Sequence, residues 1–386
     1  MSKKIGILTF HYAHNYGAVL QAYALKTKLK RMGYEAEVLN YQNKYIARLY
    51  RTGTHIDYWK RDILPNRWGR LVKLAREQRY GKKEWIRQWQ AFEQFIHTKL
   101  MDDSGAKVAD STALSLVQVA ECDCDTYILG SDQIWARELT HGLDPVYFGQ
   151  FAPQKRKISY AASVPNGDIP EGEKPLFKEY LSKLSHVSVR EESLAEELRG
   201  LLHTEVSTVV DPTLLLERED YEDLLYGQPL ETEPYLFAYY VVENPILTRL
   251  ARIAAKKMGC KLVELHYQRT KERDAELERT REQLDVEYVY DAGPQEFLTY
   301  IRDAQMVMTN SFHGTVFSIL FGKKFYSVYE KNGRIENLLD FLKLGERHIT
   351  AEEDFHPGQE IDYANSGKLL QEYRRKSEEF LEMALR

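Results

Sequence analysis

No run of about 18 apolar residues occurs anywhere in the 386-residue sequence, so no membrane-spanning helix is expected. Met1-Ser2-Lys3-Lys4 leads directly into the short apolar run Ile5–Leu8, and no small-residue cleavage site follows. That excludes a signal peptide, and the chain reads as cytoplasmic. Cysteine is scarce. Cys122, Cys124 and Cys260 are odd in number and form no C-x-x-C pair with nearby histidines, which argues for reduced thiols and against a disulfide framework or a zinc site. A net charge of −5 gives no overall basic field and so no nucleic-acid partner. The sequence also lacks a fixed short repeat and any low-complexity tract.

What is present is an ordinary globular composition, 43% apolar and 29% charged, in a chain long enough for two domains. Short apolar runs alternate with amphipathic stretches. Strands are expected at Ile5–Phe10, Glu35–Tyr41, Thr126–Gly130, Lys157–Val164, Val187–Val189 and Thr208–Val210. A second series falls at Tyr235–Val242, Lys261–His266, Glu287–Tyr290, Met306–Thr309 and Phe325–Tyr329. Helical patterns at Ala18–Met32, Ser193–Leu202, Leu247–Met258, Pro294–Ala304 and Ile335–Leu342 lie between them. This alternation predicts an α/β fold of two parallel-sheet, Rossmann-like domains facing a cleft. The polar stretch Glu217–Pro234 marks the boundary, giving domains 1–225 and 226–365 and then an amphipathic C-terminal helix over 366–386.

One region departs from the pattern. Lys44–Leu100 carries fourteen Lys or Arg against five Asp or Glu, together with four of the five tryptophans, Trp59, Trp68, Trp85 and Trp89. It reads either as a basic helical insertion whose rings pack on the domain or as a surface for anionic lipid.

Chemistry is expected where strands end and helices begin, because ligands of open α/β sheets gather at the carboxyl ends of strands. After the first strand come Asn15, Tyr16 and Gly17, with Gly17 open to close approach by a ligand and no G-x-G-x-x-G to suggest a dinucleotide cofactor. Gly130-Ser131-Asp132-Gln133 offers directional groups for sugar hydroxyls, and Asp132 is a candidate base. Arg190 arrives at a strand end with a fork suited to carboxylate or phosphate. Asp211-Pro212 reads mainly as a turn. The most informative segment is Ser311-Phe312-His313-Gly314-Thr315, where a buried strand gives way to a helix N-terminus suited to an anion; His313 there can donate to it or hold a proton. Lys331 and Arg334 follow the next strand toward the same edge, so a small, highly charged anion is the expected ligand. No carboxylate cluster with ligand spacing accompanies these segments, and no metal is expected.

Asn15-Tyr16-Gly17 with Gln21, Gly130-Ser131-Asp132-Gln133, Ser188–Ser193 with Asp211-Pro212, and Ser311–Thr315 together resemble the polysaccharide pyruvyl transferase family from Ile5 to about Leu344. The resemblance implies a GT-B-like fold, phosphoenolpyruvate as donor with no further cofactor, and a sugar or glycan acceptor converted to a cyclic pyruvate ketal during surface polysaccharide synthesis. It implies that Arg190 and His313 hold phosphoenolpyruvate, on the expectation that Ser311, Gly314, Lys331 and Arg334 complete that site. Asn15, Tyr16, Ser131, Asp132 and Gln133 are then the acceptor side, with His313, Asp132 and Arg190 as the catalytic set. Many relatives carry an Arg where this chain has Ser311, and Arg334 is expected to compensate. The basic aromatic insertion favours a polyprenyl-diphosphate-linked acceptor at the inner face of the plasma membrane. Two other readings remain open: a GT-B glycosyltransferase with a nucleotide-sugar donor, and a non-catalytic scaffold that docks on the membrane through residues 44–100.

Overall fold

The computed structural model of the chain describes residues 3–51, 81–101, 116–356 and 358–386. The first half forms β1 (Lys4–Leu8), β2 (Glu35–Val38), β3 (Thr126–Leu129), β4 (Arg156–Ser159), β5 (Val187–Val189) and β6 (Val206–Thr208). The hydrogen-bonded order is β2-β1-β3-β4, and single parallel bridges Ile158↔His186 and Ala162↔Val189 carry the β5-β6 pair on from β4. The second half forms β7 (Tyr235–Tyr239), β8 (Lys261–Leu265), β9 (Val286–Val289), β10 (Met306–Thr309), β11 (Lys324–Val328) and β12 (His348–Ile349), in the order β12-β11-β10-β7-β8-β9. Every registered pair is parallel. β3, β7 and β10 are buried along their whole length, as strands covered by helices on both faces must be.

These are two Rossmann-like sheets, each with its strand order reversing beside its first strand, at β1/β3 and at β7/β10. The helices that matter for the site are α1 (Tyr16–Arg31), α2 (Lys82–Phe95), α3 (Glu192–Leu202), α4 (Pro212–Leu215), α5 (Pro294–Asp303), α6 (Phe312–Leu320), α7 (Gly333–Phe341) and α8 (Tyr363–Leu385). β12 was not expected; two residues carry no readable period.

α8 begins beyond the second sheet and ends on the first. Its Ser377 hydroxyl oxygen accepts from Val210 N–H at 3.0 Å, and Arg374 donates to the Leu214 carbonyl at 2.7 Å. Phe380 lies against Tyr160 and His186, and Lys3 Nζ donates to the carbonyls of Leu385 and Arg386.

Within the described part of the basic insertion, α2 is an internal brace. α2 buries Gln88, Phe92 and Phe95. Phe92 stacks on His14 at 5.2 Å, Trp89 lies 5.9 Å from the same ring, and Glu84 and Arg87 reach across to Arg269 and Asp291 of the second half. These groups pack on the protein itself, while Lys82, Lys83 and Ile86 of the same helix are exposed. Trp59 and Trp68 lie outside the described residues, and Trp85 is half-buried. Among the described residues no helix is long and apolar enough to cross a membrane.

Candidate functional site

α1 starts the site. Asn15 is its N-cap, accepting from Ala18 N–H at 3.2 Å. Tyr16 is buried; its hydroxyl donates to the Ala292 carbonyl at 2.8 Å, and its ring stacks on Phe297 of α5 at 4.5 Å. Tyr16 was expected on the acceptor side, but its polar atom is already engaged and its ring bolts the two halves together. Gly17 was expected to admit a ligand. What it admits is His313: a Cβ built on Gly17 would stand 1.9 Å from His313 Nδ1 and 2.4 Å from Cε1. The imidazole from the second half therefore rests on the backbone at the start of the first half's leading helix.

His313 sits in the first turn of α6. Ser311 is the N-cap of that helix, and its hydroxyl oxygen accepts from Gly314 N–H at 3.1 Å. The Cα of Gly314 faces Thr309, whose Oγ1 would lie 2.7 Å from an added Cβ. Ser311 and Gly314, both expected to touch the anion, thus serve the helix start itself. The amides of Phe312 and His313 are the ones left without an intrahelical partner.

The opposite wall comes from β5 and the segment after β6. Arg190 is 6% exposed and donates through Nη1 to Asp211 Oδ2 at 2.7 Å; its Nη2 has no hydrogen-bond partner and lies 3.9 Å from Asp132 Oδ1. Asp211 is more than a turn residue. One carboxylate oxygen caps α4, accepting from Thr213 N–H at 3.0 Å and Thr213 Oγ1 at 2.6 Å. The other faces Arg190, Ser131 Oγ at 3.4 Å and His313 Nε2 at 3.5 Å. That last separation is long, and Nε2 makes no well-formed hydrogen bond. Burial alone would raise the Asp211 carboxyl, but His313 and Arg190 hold it well below the usual range.

Two further residues, outside the expected site set, face the cluster. The Phe312 ring lies between two cations, with Arg190 Cζ 4.7 Å and Arg334 Cζ 6.0 Å from its centroid. Glu191 is wholly buried, accepts from Ser163 Oγ at 2.7 Å and leaves Oε2 unpaired. Burial pushes its carboxyl up, against the pull of Arg190, Ser163 and Arg334. Sequence signals for both existed, an aromatic inside the most informative turn and the second letter of Arg190-Glu191-Glu192, but neither says which way a side chain faces.

Arg334 enters from the first turn of α7, where Asn332 is the N-cap. Its pKa is lowered by burial and by the neighbouring Arg190 charge, which outweigh Asp132, Glu191 and Asp211. Arg190, Asp211, Phe312 and Arg334 line one end of a cavity of about 470 Å³. Lys331 is exposed and, among the described residues, makes no hydrogen bond or ion pair with this cluster. Asn15 is engaged as a cap, and Gln133, beside Asp132, is half-buried with its side-chain amide unengaged among the described residues. Among the described residues no group of three or more His, Cys, Asp or Glu is placed to hold a metal.

Two Rossmann-like sheets turning their carboxyl ends on a shared cluster of buried charges define a GT-B-like protein. Solved structures agree on the architecture. The putative UDP-N-acetylglucosamine 2-epimerase of Listeria monocytogenes superposes with a TM-score of 0.53 at 9% identity, over 97% of this chain and 91% of that one. MnaA of S. aureus, in its structure with UDP, gives 0.51 at 12% identity over 98% and 91%. At such identities the likeness is one of fold. No curated protein sequence matches the chain. The model of the polysaccharide pyruvyl transferase family matches residues 15–332, and the chain belongs to that family.

Proposed function

We propose that the chain transfers the enolpyruvyl unit of phosphoenolpyruvate to two hydroxyls of one sugar, forming a cyclic pyruvate ketal and releasing phosphate. The observation that carries this reading is the pair Arg190 and Arg334, one from each half, sharing the Phe312 ring with the free Nη2 of Arg190 and the loosely held Nε2 of His313 beside it. A three-carbon trianion satisfies all of these groups at once: carboxylate and phosphate take the guanidinium forks, and His313 lies within reach of the remaining carbon.

The steps follow from these positions. Protonated His313 delivers its proton to the methylene carbon, which becomes a methyl group and leaves C2 electrophilic. One sugar hydroxyl adds to C2 and gives its proton to Asp132, whose Oδ1 lies 3.9 Å from Arg190 Nη2. The second hydroxyl displaces phosphate from C2. Of the two hydroxyl protons, one replaces that lost by His313 and the other leaves with phosphate. Asp211, 3.5 Å from Nε2, keeps the imidazole oriented. The acceptor belongs to surface polysaccharide synthesis, and a polyprenyl-diphosphate-linked sugar remains within the proposal.

Phosphoenolpyruvate and nucleotide sugars offered separately distinguish this reading from a glycosyltransferase. Phosphoenolpyruvate should raise the melting temperature of the wild type and not of Arg190→Ala. Stabilisation by a nucleotide sugar alone overturns the proposal. His313→Ala should retain the fold and lose at least about 100-fold in phosphate release; near-normal turnover removes His313 from the mechanism.

A further inference from the structure

α7 presents Arg334, Asn337, Leu338 and Phe341 to the cavity, positions at the i, i+3, i+4 and i+7 spacing of one helical face. Arg334 stands at the donor end. Phe341 lies seven residues on, about 10 Å along the axis at 1.5 Å per residue. There it meets Tyr373 of α8, with ring centroids 4.3 Å apart and planes at 40°. The far end of the cavity is therefore aromatic on one side. Beside the rings lie polar groups: the Asn337 amide, one of whose N–H groups donates to the Gly333 carbonyl at 2.6 Å, the exposed carboxylate of Asp340, and the charged side chains of Glu192, Arg199 and Lys376.

We infer that this end of the cavity is the seat of the acceptor sugar, with one face of a pyranose ring on Phe341 and Tyr373, hydroxyls of its far edge donating to Asn337 and Asp340, and the reacting pair of hydroxyls turned toward the donor end. An aromatic face beside hydrogen-bonding side chains suits the apolar face and hydroxyl edge of a sugar ring. α7 thus borders both seats, the trianion at Arg334 and the sugar toward Phe341. The cavity, about 470 Å³, falls within the range of small-molecule sites, roughly 300–1,000 Å³. This site differs from the Asn15–Tyr16 region, where the polar atoms are taken up by the fold. It rests on the pyruvyl-transfer reading only for the identity of the anion at the other end.

The test uses the full chain and two separate probes. Methyl β-D-galactopyranoside, methyl β-D-glucopyranoside and methyl β-D-mannopyranoside, at millimolar concentration, are followed by saturation-transfer difference NMR. Phosphoenolpyruvate is followed by thermal shift. At least one glycoside should receive saturation at its ring protons from the wild type. Asn337→Ala and Asp340→Asn should each weaken that binding about tenfold, removing the signal. Lys183→Ala, exposed elsewhere on the surface, should keep it, and all three variants should keep the phosphoenolpyruvate shift. No glycoside signal with the wild type, or signals that survive both α7 substitutions, overturns the inference. A missing phosphoenolpyruvate shift in the wild type, with the glycoside signals behaving as stated, refutes the donor reading and leaves the sugar site standing.

Discussion

Gly17→Ala is the smallest change that tests how the two halves meet. The new methyl carbon would stand 1.9, 2.4 and 2.5 Å from Nδ1, Cε1 and Cγ of His313. These atoms belong to a rigid ring that is 7% exposed, not to the loose end of a flexible side chain. Ordinary contact begins at 3.4 Å, so the ring or α1 must move by about 1.5 Å. Overpacking of this kind typically costs about 1–3 kcal/mol. A catalytic group misplaced by about 1 Å can cost roughly 100-fold in rate. Urea unfolding of wild type, Gly17→Ala, His313→Ala and the double variant should therefore be strongly non-additive. With the imidazole gone the methyl group has room, and the Gly17→Ala penalty should fall by about 1–3 kcal/mol. Additivity within about 0.5 kcal/mol would show that the ring does not rest on Gly17, and the account of the interface would be wrong. Phosphoenolpyruvate titration provides a second readout: Gly17→Ala should bind it more weakly, whereas in the double variant the added methyl should make no further difference.

Ser311→Ala should lose about 0.5–2 kcal/mol of stability, as for a helix cap, and change phosphoenolpyruvate affinity by less than about fivefold; a loss as large as that of Arg190→Ala would make Ser311 a ligand group. Asp211 is a carboxylate whose folded pKa is depressed, so it contributes stability above its unfolded value of about 3.9 and loses it as pH falls through the folded one. Asp211→Asn should accordingly be most destabilising at pH 6–8, with the gap to wild type narrowing toward pH 3 in urea midpoints; a penalty independent of pH would contradict the charge pairing. Glu191 has the opposite sign: its pKa is raised, so its stabilising form is the protonated one, present below about pH 4.3 and lost as pH rises through the folded value. Glu191→Gln should gain stability relative to wild type as pH increases, measured from melting temperatures between pH 5 and 9, and a growing deficit over that range would refute it.

The sequence disclosed the sheets well because parallel strands buried on both faces are near-continuous apolar runs, as at Met306–Thr309 and Val187–Val189, where the expected bounds are those observed. Errors arose where a distant partner ends or moves a strand. Tyr235–Val242 stops at Tyr239 because the Asn310 side chain takes over, accepting from Val241 N–H at 2.8 Å and donating to the Val242 carbonyl at 2.7 Å. Thr208–Val210 is really Val206–Thr208, since Val210 N–H donates to Ser377 of α8, 167 residues away. The helix Lys271–Arg281 escaped notice because it buries only Leu277 and so carries no apolar stripe. At the site, residue types at strand ends pointed to Arg190, Asp132, His313 and Arg334. Which of their neighbours face inward could not be read, because Gly17, Gly314 and Ser311 look the same in a string of letters whether they serve a ligand or the chain.

α8 sets the terms on which the halves can move. The peptide crosses between them twice, once through the stretch before β7 and once as a helix anchored by Arg374, Ser377 and Phe380. Two connections allow a hinge but resist one body twisting or sliding freely over the other, much as two knuckles guide a door. Cutting the last twenty residues would then expose apolar surface on the first sheet, although the excised segment follows the second in the chain. The injury should appear as loss of packing around Tyr160, far in sequence from the cut.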